Sequence, residues 1–192
     1  MLACASALVL PSSVLAQDPA AEIPDIAESE PQAVSSDPSY GIARGSDTPA
    51  LWATVNICDT EKHPDSMGIR AGMPGNGTDQ RMWMRFMAEY WSRAHQAWTA
   101  VSGTGVSPWV YAGSARLERR QAGWTFAFSE PPEGVTFTMR AQVEFEWRAK
   151  ERRKRGTGRR VIRSEVRVTE TGVRGVHRGD PAGTSKAMCL IY

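Results

Sequence analysis

Long apolar runs are missing from this chain. None reaches the about 18 residues that a membrane-spanning helix needs, so an integral helical membrane protein is not expected. Cysteine is scarce: three in 192 residues exclude a miniprotein stapled by disulfides. Histidine is equally sparse, with only His63, His95 and His177, each in a different stretch. No His-x-x-x-His, Cys-x-x-Cys or Gly-x-Ser-x-Gly occurs, so the common zinc-enzyme and hydrolase signatures are absent. Gly156-Thr157-Gly158 has neither the lysine nor the following helix of a phosphate loop.

What is present is enough apolar material for one packed domain, 41% hydrophobic against 23% charged residues. Residues 1–16, MLACASALVLPSSVLA, carry no charge and end in Val14-Leu15-Ala16 before Gln17. They read as the end of a secretory signal peptide lacking its basic start. The alternative is a short apolar N-terminus. Cleavage after Ala16 would remove Cys4 and leave Cys58 and Cys189. In an oxidising compartment these two are expected to form one disulfide. Closing a loop of about 130 residues is worth roughly 5 kcal/mol in the chain-entropy account, less any strain. The alternative is a pair of buried thiols.

Residues 17–49 have a different texture. They lack Trp, Phe, Leu and Met, and their seven acids (Asp18, Glu22, Asp25, Glu28, Glu30, Asp37 and Asp47) face only Arg44, a net charge of −6. Such a stretch buries too little apolar area to offset its ordering entropy, so a disordered acidic linker is expected. All seven tryptophans and all five phenylalanines lie beyond it. Residues 50–192 are therefore read as the domain, with a net charge of +8 once the linker is taken from the total of +2.

The dominant period in that domain is two. Over 135–148, Val135, Phe137, Met139, Ala141, Val143, Phe145 and Trp147 alternate strictly with Thr136, Thr138, Arg140, Gln142, Glu144, Glu146 and Arg148. This is a half-buried strand. Weaker alternation marks strands over 82–90, 124–128 and 162–168, and 51–58, 67–73, 109–117 and 187–191 also read as strands. Turn clusters separate them: Pro74-Gly75-Asn76-Gly77, Pro131-Pro132-Glu133-Gly134 and Gly179-Asp180-Pro181. The stretch 91–101 fits a helical stripe or a hairpin turning near Arg93–Gln96; the flanking strands favour the hairpin. About eight strands with short turns point to an all-β, antiparallel, immunoglobulin-like β-sandwich, its terminal strands joined by the disulfide.

Leu51-Trp52-Ala53-Thr54-Val55-Asn56-Ile57-Cys58-Asp59-Thr60, Gly68-Ile69-Arg70 before Met73-Pro74-Gly75, Gln121-Ala122-Gly123-Trp124-Thr125-Phe126, and Gly179-Asp180-Pro181 with Gly183, Ser185, Ala187 and Cys189 form a pattern. It resembles a group of small secreted single-disulfide domains of actinobacteria. The resemblance spans roughly 50–192 and implies export, a sandwich fold and the bridge. It brings no catalytic residue.

The sharpest functional feature is charge. Arg148, Lys150, Arg152, Arg153, Lys154, Arg155, Arg159, Arg160 and Arg163 stand against Glu151 alone, a net of +8 over 148–163. Flanking strands make this a hairpin whose basic tip would attract a polyanion, such as an anionic glycan or cell-wall polymer. Nucleic acid is not the expected partner of an exported chain. The plain alternatives are a solvated loop, or a tip covered by the acidic linker. Trp83 and Trp91 fall on the polar face of their strand and are candidates for an aromatic surface. His63, Asp65 and Asp59 share one stretch but make a weak metal set. Glu144 and Glu146 read as surface ion pairs with nearby arginines. Arg178-Gly179-Asp180 reads as a chance tripeptide, and Asn76-Gly77-Thr78 as a turn rather than a glycosylation site.

The sequence thus predicts a secreted or extracytoplasmic, non-enzymatic binding module with no cofactor, no metal and no catalytic residues. The alternatives are a structural or adhesive domain of a larger envelope assembly, or a hydrolase without a recognisable motif.

Overall fold

A computed structural model describes residues 51–150 and 160–192, together with the backbone of the strand at 26–35. The expected signal peptide and the basic stretch 151–159 lie outside the described residues. Among the described residues the architecture is all-β, with one short 3-10 turn at Gly103–Gly105. Ten strands follow in order: β1 (Ile26–Ser35), β2 (Trp52–Thr60), β3 (His63–Pro74), β4 (Arg81–Ser92), β5 (Ala97–Ala100), β6 (Val110–Ser114), β7 (Arg119–Phe128), β8 (Phe137–Arg148), β9 (Val161–Val168) and β10 (Cys189–Ile191). One sheet has the order β1-β7-β3-β2. The second is built on the antiparallel pair β8–β4; β9 and β10 pair with β8, while β5 and β6 pair with β4.

The core lies between the two sheets, as period-two alternation requires. Met67, Ile69, Ala71, Met73, Ala122, Trp124 and Phe126 supply it from one sheet. Met82, Met84, Phe86, Ala88, Met139, Ala141, Val143, Phe145 and Trp147 supply it from the other. Trp147 Nε1 donates to Pro74 O at 3.1 Å and ties the sheets at one end. At the opposite end Cys58 and Cys189 form the expected disulfide, with their Cα atoms 5.3 Å apart. It links β2 in one sheet to β10 in the other. The stretch after Tyr90 forms the hairpin, with Trp91 opposite Trp98.

Two arrangements depart from the sequence reading. Ile26–Ser35, inside the stretch assigned to a disordered linker, is a strand that runs antiparallel along β7. Low apolar content is no bar here, because an open sheet edge offers backbone partners whatever the side chains are. The rest of 17–49 lies outside the described residues. The second departure is on the outer face of the β1-β7-β3-β2 sheet. There Trp52, Thr54, Asn56, Arg70, Gln121 and Thr125 are all buried rather than solvated. The irregular segment 169–187 contributes polar partners to this face. Thr54 Oγ1 donates to Glu170 O at 2.7 Å, Asn56 Nδ2 to Arg178 O at 2.8 Å, and Gln121 Nε2 to Gly175 O at 2.9 Å. The same segment bonds to the edge of β2 through Val55 and Lys186, Glu170 N to Ala53 O, and Asp180 N to Asn56 O.

Candidate binding surface at the cationic end

Strand register brings one end of the sandwich together. Pro74 pairs with Arg119, Arg81 with Arg148, and Arg148 with Val161. Ala149 N donates to Arg160 O at 3.0 Å, so the β8–β9 hairpin closes there and residues 150–159 form its connection. That connection carries Lys150, Arg152, Arg153, Lys154, Arg155 and Arg159 against Glu151. Of these, only Lys150 lies among the described residues, and it is exposed. Arg160 and Arg163 are also exposed. The strand ends add Arg81, exposed, and Arg119, half-buried. Neither belongs to the run 148–163. Their contribution follows from strand pairing and had no local signal in the sequence.

Arg148 sits differently from the tip residues it was grouped with. It is 8% exposed, and its guanidinium lies 5.0 Å from the ring centre of Trp83 and 4.2 Å from that of Trp109. It also pairs with Glu146. These contacts take it out of the set a polyanion can reach, and they explain how it tolerates Arg81 directly across the strand pair. Arg81 in turn lies over Tyr111, 5.9 Å from its centroid.

A ladder of alternating cations, rings and carboxylates extends from Arg148 along the outer face. Arg85 lies 4.9 Å from the Trp109 centroid and donates through Nε to Glu144 at 2.7 Å. Trp83 and Tyr111 are 5.1 Å apart and tilted. Farther along, Arg140 stacks on Trp98 at 4.3 Å and donates to Glu89 at 2.7 Å, while Gln142 donates to the other oxygen of Glu89 at 2.6 Å. Trp91 meets Trp98 edge-on at 5.5 Å. Trp91 is 36% exposed and Tyr111 44%, whereas Trp83 is half-buried under its neighbours. Each desolvated cation–ring contact is worth up to about 2 kcal/mol, each exposed ion pair about 0.2–1 kcal/mol. The ladder is thus mainly a stiffener of the sheet that carries the tip. Both Glu144 and Glu146 pair with arginines as expected, Glu144 with the half-exposed Arg85, but the Glu146–Arg148 pair is largely buried rather than at the surface.

The remaining candidates have structural occupations. Asp59 accepts from the backbone N–H groups of Asp65 at 2.9 Å and Tyr192 at 3.2 Å. No group of three His, Cys, Asp or Glu able to hold a metal occurs among the described residues. His63 opens β3, His95 lies in the β4–β5 turn, and His177 lies in the segment 169–187. Asp180 of the Arg-Gly-Asp tripeptide accepts from Thr60 Oγ1 at 2.7 Å and bridges Ile57, so it is docked on β2 rather than displayed. Asn76 Oδ1 accepts from Thr78 N at 3.1 Å, a side-chain-closed turn.

Arg70 escaped sequence reasoning. It lies in β3 opposite Gly123, two residues from Gly68 and Gly72, and is fully buried. Burial, with repulsion from Arg178 behind it, lowers its pKa to about 10, so it stays cationic at neutral pH. No local pattern marked it: of the glycines around it, Gly72 makes room for the Trp52 indole.

No protein-family model matches the chain. No curated protein matches it in sequence. Among solved structures it is similar to the collagen-binding subdomain of the Enterococcus faecalis surface protein ACE, at a TM-score of 0.32 and 8% identity, over 65% of this chain and 97% of that one. A likeness this slight carries no argument about a ligand.

Proposed function

We propose that the chain is an exported, non-enzymatic binding module whose cationic end takes a polyanion, an anionic glycan or cell-wall polymer. The observation that carries this reading is the closure of the β8–β9 hairpin at Ala149 and Arg160. It confines six basic residues and one acid to a connection of ten residues. Arg81, Arg119, Arg160 and Arg163 border that connection, so the positive potential extends beyond the run itself. The disulfide supports an oxidising compartment. Among the described residues no helix is long and apolar enough to cross a membrane.

The direction of β1 argues against the linker covering this end. Ile26 pairs with Phe128 and Ser35 with Gln121, so Glu28 and Glu30 run beside the half of β7 remote from Arg119. Only Asp37 and Asp47, against Arg44, follow Ser35 before β2 begins.

The test is retention on immobilised heparin and polyphosphate across a salt gradient. The wild-type chain is expected to bind and to elute with salt. Replacing Arg152, Arg153, Lys154 and Arg155 by Gln is expected to weaken retention, with elution at clearly lower salt, while leaving the thermal transition in place. Unchanged retention of that variant contradicts the proposal. The structural or adhesive alternative is supported by a different feature, the open edge of β9.

A further inference from the structure

Among the described residues two strands keep a long unpaired edge, the ten-residue β1, which pairs only with β7, and β9, whose side chains are described. The outer edge of β7 is paired by β1, and that of β2 is bonded by the segment 169–187. In the other sheet β5, β6 and β10 have four, five and three residues. β9 has eight, and among the described residues its backbone pairs only with β8, along one side. Val161, Ile162, Val166 and Val168 are each about two-fifths exposed, between 39% and 44%. A long edge with β-branched residues is a template for another strand.

The register on β8 fixes which side each residue takes. Val166 and Val168 lie opposite Glu144 and Gln142, hence on the outer face. Arg163, Glu165 and Arg167 lie opposite Trp147, Phe145 and Val143, on the other face. Arg163 stacks on Trp147 at 4.9 Å, and Glu165 is held by Arg163 at 3.1 Å and Arg167 at 3.3 Å. The charge order along this face is plus, minus, plus.

That order is complementary to itself in an antiparallel pair. We infer that β9 pairs antiparallel with β9 of a second copy, centred on Val166, so that Glu165 of each chain faces Arg167 of the other. Val166 then faces its own counterpart, and Val168 faces Ser164. A register centred on Glu165 would set Glu165 against Glu165 and Arg163 against Arg167, which like-charge repulsion disfavours. A register centred on Ser164 would run into the irregularity that β9 carries between Val161 and Arg163. The existing pairs within β9 are exposed and exchange for cross-strand pairs at little cost. A two-fold pairing of one patch with itself closes the assembly at a dimer. This inference does not rest on polyanion binding.

Sedimentation equilibrium of the full chain over a range of concentrations tests it. The wild type is expected to show a reversible monomer–dimer equilibrium. Glu165→Arg lines the edge with one sign and is expected to weaken dimerisation at least tenfold, with tryptophan emission and the disulfide unchanged. The triple variant Arg163→Glu, Glu165→Arg, Arg167→Glu inverts every charge, keeps the self-complementarity, and is expected to dimerise again. A wild type monomeric at every concentration would overturn the inference. So would a Glu165→Arg variant that dimerises like the wild type, or a triple variant that stays monomeric.

Discussion

A methyl group at position 72 would fall within the indole of Trp52, which lies across the strand pair. Gly72→Ala must therefore displace a fully buried tryptophan. It is expected to lower the unfolding free energy by about 1–3 kcal/mol, read by urea denaturation. Asp65 gives a pH-dependent prediction. Desolvation first, then the negative charges of Asp59 and Glu130, raise its pKa above the ordinary carboxylate value. The folded state therefore holds the Asp65 proton more tightly than the unfolded chain does. Its ionisation costs stability as pH rises through the folded pKa, and nothing below the unfolded one. Asp65→Asn is expected to be more stable than the wild type near neutrality, with the gap closing on acidification to about pH 3, below the usual Asp range. Equal melting temperatures at both pH values would contradict the cause assigned. At this scale the sequence was only partly legible. Trp147, on the apolar side of its alternation, is buried, but Arg148, counted with the tip, is enclosed by Trp83 and Trp109. Trp109 reaches it from a neighbouring segment, and no local pattern carries that contact.

Strands were the most legible elements, because alternation is a local property. In β8 every expected apolar position from Phe137 to Trp147 is buried. The alternation of β9 marked a strand correctly but not its inner side: its charged residues share the face of Phe145 and Trp147, which only the pairing register decides. β1 was illegible for the opposite reason, since edge pairing through backbone groups leaves no hydrophobic pattern. The burial of the outer face over β3 was hidden too, because the covering segment 169–187 has no regular structure to betray it. The disulfide is the element-scale device with the largest expected effect. It joins positions separated by 131 residues and fastens the short β10 to β2. The pair of substitutions Cys58→Ser and Cys189→Ser is expected to cost about 2–5 kcal/mol, measured by denaturant unfolding. A loss well below 1 kcal/mol would show that β10 is held by packing alone.

For the whole molecule the consequential feature is the separation of its ends. The disulfide holds one end, and the basic hairpin connection leaves from the other, beside Arg81 and Arg119. The acidic residues of β1 lie toward the disulfide end. Between the ends, the cation–ring ladder stiffens the sheet on which the tip is mounted. The most direct measurement of the central claim is the salt dependence of binding to a single-stranded oligonucleotide, used as a polyanion of known charge spacing. Neutralised phosphates release counterions, so log K falls linearly with log salt at about 0.7 per contact. The account predicts a steep slope for the wild type. The slope should be shallower by roughly 3 when Arg152, Arg153, Lys154 and Arg155 are replaced by Gln. Equal slopes for the two proteins, or no binding by the wild type at low salt, would contradict it.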